Sequence, residues 1–462
     1  MKRKLVLCTL AAMICMTCGV RAEGEREMLP LRITLESMGY DVGWSAADRS
    51  ITASKEGESL AFKAGSTQVS KNGGIVEMSA PVEMAEGVTY IPSSAVEELA
   101  LTSAEPTLAY RMNESFDANT NYVFSPFGFK SAAAMLANAA AGESRQEILT
   151  ALDYTDIDSL NEDMRRLNEL YSTDTEISQE DTGFAAVVNS ANSLWVEESC
   201  PQFSATFTDL LENDYSASLQ RTSARDYPEK AKEWIKEQSG GLQDIDVQPT
   251  EDFALSLINT LYLKADWQSK FEEEDTAPGA FTNADGSVGT VDYMHTYLPT
   301  EAYIDDRVTM VRLDYRDSVL GKDLSFYAAM ADSHIHLENY IDRMEYRDVN
   351  LSLPKFETNS SADMKETAKA LGISKVFTDE ADFSNAFEEN VGGIFLSSLL
   401  QDTLIGVDEE GTRAASTTRV TLAGSLAEPQ YIEINFDRPF TYFIRDNDNG
   451  EILFMGRFAN GN

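Results

Sequence analysis

Three long, nearly unbroken apolar segments constrain this chain more than any other feature: FAAVVNSANSLWVEE (184–198), FALSLINTLYLKADW (253–267) and GIFLSSLLQDTLIGVDEEG (393–411). A strand with one wet face alternates apolar and polar residues, whereas these runs are apolar on both faces, so they predict strands covered on both sides of one large sheet. Covering such a sheet requires helices, and the chain supplies them. NYVFSPFGFKSAAAMLANAAAGESRQEILTAL reads as a strand end, a Ser-Pro helix start, an Ala-rich helix able to pack closely, and a second helix opening at Gly142. YPEKAKEWIKEQSGG is an amphipathic helix closed by a Gly pair. Near the C-terminus, Asp448-Asn449-Gly450 is a turn between two apolar strands, which predicts a hairpin. The fold class is therefore α+β, a big sheet with helices banked on it.

A length of 462 residues with 43% hydrophobic content suits two or three globular units. The first 22 residues have the layout of a secretory signal peptide: Lys2, Arg3 and Lys4, an apolar stretch from Leu5 to Val20, and a small-x-small end at Val20-Arg21-Ala22. The mature chain is expected to start near Glu23 and to be secreted. Cys8, Cys15 and Cys18 lie in that leader, so the exported chain keeps only Cys200 and forms no internal disulfide. Residues 23–104 read as a separate small module: a short helix ending at Gly39, short alternating strands with Gly turns, then VTYIPSSAVEELAL as strand, Pro and helix. The remaining unit is expected over 105–462.

The net charge of −40 repels nucleic-acid backbones and anionic membrane faces, so nucleic acid is not expected as a partner. Catalysis finds little support. There are three histidines (His295, His334, His336), with no G-x-S-x-G elbow and no H-E-x-x-H helix. His334 and His336 would share one face of a strand, yet no third metal ligand is identifiable. Cys200 precedes Pro201 without a partner His and reads as a partly buried spectator thiol. No enzyme, metal or cofactor is expected.

One segment remains. Residues 408–430, DEEGTRAASTTRVTLAGSLAEPQ, are longer than structureless loops in compact domains usually run. Taken with period two, Thr412, Ala414, Ser416, Thr418, Val420, Leu422 and Gly424 form an uncharged face, while Arg413 and Arg419 fall on the other. That is the pattern of a strand with one face ready for burial, held outside its sheet. Charge on the first face would be buried unpaired; on the second, expected to stay in water, it costs little.

The run Glu409-Glu410-Gly411-Thr412-Arg413-Ala414-Ala415-Ser416-Thr417-Thr418 resembles the reactive-loop hinge of serpins. Further stretches resembling that family follow in order: FSPFGF (124–129), LINTLYLKADWQSKF (257–271), GAFTNADGSVGTVDYM (279–294), LSLPKFET (351–358), ADFS (381–384), VDEEGT (407–412), DRPFTYFI (437–444) and ILFMGRF (452–458). The resemblance implies three β-sheets, about eight to nine helices and an exposed reactive loop. It also implies a suicide inhibitor of serine or cysteine proteases that acts as a monomer and traps the acyl-enzyme by inserting its cleaved loop. The family's spacing places the reactive bond at Ser425-Leu426; Leu422-Ala423, Leu426-Ala427 and the bond after Arg419 stay open. The small and apolar residues there suit an elastase- or subtilisin-like target. Ser125, Asn259, Gln401 and Trp267 correspond to the region that governs sheet opening. Family members commonly have Ser and His where this chain has Gly128 and Gln401, and the Gln401 amide can still bond to Asn259. The first module, through LPLR–ESMGYDVGW and GVTYIPSSAVEEL, resembles the copper-amine-oxidase N-terminal module, without any His or Cys to bind copper. A spacer or cell-wall contact is its expected role.

Overall fold

The computed structural model describes residues 28–36, 38–45, 50–55, 58–85, 88–92, 94–99, 107–171, 187–239, 247, 253–316, 323–331, 336–389, 392–412 and 431–461. The leader and its three cysteines, the Gly pair after residue 239, His334 and residues 413–430 lie outside them. The chain divides into two compact units, Met1–Pro106 with Ile335–Asp342, and Thr107–His334 with Arg343–Asn462.

The smaller unit is built from β1 (Met28–Pro30), α1 (Leu31–Glu36), β2 (Asp41–Ser45), β3 (Ser50–Lys55), β4 (Glu58–Lys63), β5 (Gln68–Lys71), β6 (Gly74–Glu77), β7 (Glu83–Ala85), β8 (Val88–Pro92) and α2 (Ala95–Glu98). Strands β2 to β6 form a five-stranded meander, and β1-β8-β7 a three-stranded sheet. Gly39 ends α1 as expected, at φ 79°. Leu31, Leu35, Tyr40, Phe62, Val69 and Ile91 share one buried core, the inward half of the alternation read from the sequence.

The larger unit contains α3 (Leu108–Asn113), β9 (Tyr122–Phe124), α4 (Pro126–Ala139), α5 (Gly142–Ala151), α6 (Ile157–Tyr171), β10 (Val187–Glu197), α7 (Ala205–Asp214), β11 (Ser218–Thr222), α8 (Tyr227–Gln238), β12 (Leu255–Asp266), β13 (Ala277–Thr282), β14 (Val288–Ile304), β15 (Thr309–Asp314) and β16 (Leu324–Met330). It continues with β17 (Glu345–Pro354), β18 (Phe356–Asp363), α9 (Lys365–Ala370), β19 (Leu396–Val407), β20 (Gly411–Thr412), β21 (Ile432–Asn435), β22 (Phe440–Asp446) and β23 (Ile452–Phe458). The three apolar segments become β10, β12 and β19, adjacent in one sheet ordered β11-β10-β12-β19-β18. The other strands join as β21-β17-β14-β15-β16-β22-β23-β9, with β13 on β14, so two of the three sheets implied by the resemblance run into one another through β14.

Both faces of the first sheet are covered. On one side lies α4, whose residues are buried along its length except Lys130; Ala132, Ala133, Ala134 and Ala137 let its axis come close to the strands. On the other lies α8, whose Tyr227, Ala231, Trp234 and Ile235 share a core with Trp195 and Ile258. His336 does not lie on a strand; it precedes the 3-10 turn Leu337–Arg343. Cys200 is a half-buried free thiol, and burial pushes its pKa up.

The expected hairpin is β22–β23, and its turn is tied to α6: Tyr171 donates its hydroxyl to Asp446 Oδ2 at 2.7 Å, and Asn449 Nδ2 donates to the same oxygen at 3.0 Å. Asp446 is fully buried, so its carboxylate depends on these donors. A Tyr171→Phe variant should lose about 1–3 kcal/mol of stability, read as a lower midpoint in urea with an unchanged m-value; an unaltered midpoint would show that the turn does not need the hydroxyl.

Candidate functional site

Strand β12 has two edges, and both are in use. β10 pairs with it antiparallel from Leu255 to Lys264, and β19 pairs with it in parallel from Leu255↔Leu396 to Tyr262↔Leu404. Past Tyr262 it parts from β19, and its last two residues take new antiparallel partners, Ala265↔Thr412 and Asp266↔Gly411. The chain leaving β19 has reversed at Asp408–Glu410 and started back along β12. Of the expected hinge, then, Glu409, Glu410, Gly411 and Thr412 are in place as a turn and the first two residues of an added strand. Ala414, Ala415, Ser416, Thr418 and the Ser425-Leu426 bond lie outside the described residues.

The reversal is held by several independent bonds. Asp408 Oδ1 accepts from the N–H groups of Glu410 (3.0 Å) and Gly411 (3.2 Å), an Asx-type turn. Burial pushes the Asp408 carboxyl up in spite of those donors. Glu409 is 5% exposed and accepts from Lys355 Nζ at 2.6 Å and Thr276 Oγ1 at 2.8 Å. Burial acts to raise its pKa, yet Lys355 and the other donors together hold it below the usual range. Glu410 pairs with Lys270. Trp267 anchors the turn: its backbone N–H donates to Glu410 O and its indole N–H to Asp408 O, both at 2.9 Å. Its ring lies parallel to Tyr315 at 4.7 Å, and the Tyr315 hydroxyl meets Thr412 Oγ1 at 2.7 Å. Gly411 is required by space, because a Cβ there would sit 2.0 Å from the Ala265 carbonyl oxygen.

Lower down the ladder Ser125, Asn259 and Gln401 come together, away from Trp267 at the hinge. Asn192, Asn259 and Gln401 stand in one row across β10, β12 and β19. Gln401 joins β19 to the start of α4 twice, accepting from Ser125 N at 2.8 Å and donating to Ser125 O at 2.9 Å. Its amide also reaches Asn259 Oδ1 at 3.4 Å; Asn259 donates to Asn192 at 2.9 Å, and Asn192 to Ser131 Oγ at 3.2 Å. Ser125 caps α4 by accepting from Gly128 N at 2.8 Å. At the departure noted in the sequence, a Cβ on Gly128 would lie 2.0 Å from Asn259 Oδ1, so with Asn259 placed as it is only glycine fits on α4.

Sequence reasoning missed Tyr315, Lys355, Lys270, Asn192 and Ser131. A signal existed for Asn192, since a polar amide inside an otherwise apolar strand asks for a partner. Gln401→Leu removes both bonds to the Ser125 backbone; the Ser125 C=O still accepts from Phe129 N at 3.0 Å, but its buried N–H is left unsatisfied. The expected cost is about 1–3 kcal/mol for that orphaned group, with a lower melting temperature in the intact protein; a stability equal to the parent's would show that the row does not hold the sheet.

The family model described as "Serpin (serine protease inhibitor)" matches residues 106–461, and that for "Copper amine oxidase N-terminal domain" matches 20–102. Among curated relatives, the leukocyte elastase inhibitor of Sus scrofa is 28% identical over 375 residues, covering 75% of this chain and 95% of that protein. Among solved structures, the native state of tengpin, a thermophilic serpin, aligns with a TM-score of 0.67 at 24% identity, over 77% of this chain and 92% of its own. Human thyroxine-binding globulin complexed with thyroxine aligns with 0.66 at 21%, over 77% and 96%. The model match spans most of the chain, and the chain belongs to the serpin family.

Proposed function

We propose that this protein is a secreted suicide inhibitor of serine proteases, with elastase- or subtilisin-like enzymes as favoured targets and cysteine proteases as a further class. The observation that carries the reading is β20: Gly411 and Thr412 already pair with Asp266 and Ala265 at the end of β12, just beyond the stretch paired with β19, so the added strand is begun. Because β10 fills the other edge, a strand prolonged from Thr412 must replace β19 as β12's neighbour. In the intact chain the loop is tethered at both ends and that exchange is blocked.

A protease attacking the loop carbonyl forms an acyl-enzyme and releases the new amine, which frees the N-terminal part of the loop. Residues 412–425 then span on the order of 45 Å at about 3.3 Å each, enough to carry the attached protease along the sheet before water reaches the ester. The driving force is the unmade ladder and burial of the loop's uncharged face, held back by the closed β12–β19 pairing. The reactive bond is assigned to Ser425-Leu426. The N-terminal module is assigned a spacer or cell-surface contact.

The second reading is a non-inhibitory binding protein, favoured by the likeness in fold to thyroxine-binding globulin. Mixing the protein with pancreatic elastase and with subtilisin separates the two: inhibition predicts a band at the summed mass that survives denaturation, and clipped chains alone would support the second reading. A Thr412→Arg variant should turn the inhibitor into a substrate, since Thr412 is 1% exposed and a charge there would be buried without a partner. Undiminished complex formation by that variant would defeat insertion as the mechanism.

A further inference from the structure

Asp402 is 1% exposed in the middle of β19, opposite Thr260 of β12 and Ser361 of β18. Neither of its carboxylate oxygens has a hydrogen-bond partner among the described residues. On the same face of the two strands Ile258 and Leu400 pack against the core of α8, so Asp402 points toward that helix and away from α4. There it lines a small cavity with Gln238 and Ser239 from the end of α8, and with Thr260, Tyr262 and Leu404. The cavity leaves about 10 Å³ for the centre of a water-sized sphere, room for one such particle.

The walls of that space favour positive charge. Gln238, Ser239, Thr260 and Tyr262 each bring a side-chain oxygen, and the C-terminal end of a helix, here α8, carries partial negative charge. No basic side chain lines the cavity among the described residues. Lys236 and Glu237 at the end of α8 are exposed, and Asp363 of β18 is exposed and accepts from the N–H groups of Leu399 and Lys365. The sequence joining α8 to β12, residues 240–252, holds Asp244, Asp246, Glu251 and Asp252 and no Lys, Arg or His. An ionised carboxylate is costly in such surroundings, and burial pushes this one up to about 7. Since this is above the unfolded value, an uncompensated Asp402 lowers the stability of the fold as pH rises from the usual carboxylate range through 7.

We propose that this cavity binds one monovalent alkali cation, sodium or potassium, held by the Asp402 carboxylate with hydroxyl and amide oxygens from β12 and α8. A single carboxylate matches a single positive charge. Calcium takes about six to eight oxygens and usually several carboxylates, and an anion would meet both Asp402 and the helix end with the wrong sign. A water molecule fits the space but leaves the carboxylate charge uncompensated. The ion ties β19, β12 and α8 together at one level of the sheet. It needs neither the reactive loop nor a protease, so the site stands apart from the inhibitor reading.

The test is the melting midpoint of the intact protein at pH 8 in sodium, potassium or tetramethylammonium chloride at equal concentration. Equal ionic strength cancels the general screening that a chain of net charge −40 feels in any salt, and tetramethylammonium is too large for the cavity. Sodium or potassium should raise the parent's midpoint by about 2 °C or more over tetramethylammonium. Asp402→Asn should melt alike in all three salts. A parent indifferent to the cation would overturn the proposal and leave a water or a proton as the occupant; the same preference in Asp402→Asn would also overturn it. Should that variant not fold, the parent at pH 5 decides: there a proton competes for the carboxylate, and the preference for sodium or potassium should shrink severalfold. A preference as large at pH 5 as at pH 8 would place the ion elsewhere.

Discussion

The parallel ladder between β12 and β19 is the interaction on which the rest depends. It is closed from Leu255 to Tyr262 and then gives way to the hinge, so one strand carries two competing partners along its length. Parallel pairing is slightly weaker per residue than antiparallel pairing, and an inserted strand would make antiparallel ladders with both neighbours. The closed form is thus held by local fastenings rather than by an ideal sheet. These are the Ser125–Gln401 bonds beneath the ladder and the Trp267–Asp408 and Lys355–Glu409 bonds at its end.

Those fastenings are of two kinds. The lower one is an amide row packed between strands and the first turn of α4, where removal of Gly128's hydrogen in favour of any side chain would collide with Asn259. The upper one is ionic and aromatic and lies close to solvent: Lys355 and Lys270 are partly exposed while their glutamates are largely covered. A chain bearing forty excess negative charges has reason to spend two of its few lysines there, since Glu409 and Glu410 are adjacent and would otherwise repel.

Much of this was legible in the sequence. Runs such as LSLINTLYLKAD declare a strand covered on both faces because they never alternate, and β12 is covered by α4 and α8. The hairpin followed from Asp448-Asn449-Gly450. What the sequence could not show were contacts between residues remote along the chain, such as Tyr315 with Thr412 or Lys355 with Glu409, which depend on register and sheet order rather than on local pattern.

The amide row has a consequence for the conditions under which the molecule can serve. Asn192, Asn259, Gln401 and Ser131 carry no proton that comes or goes across the range in which proteases work. A histidine at position 401 would have made the central clasp respond to acidity; with glutamine there, the clasp grips equally in sour and alkaline surroundings.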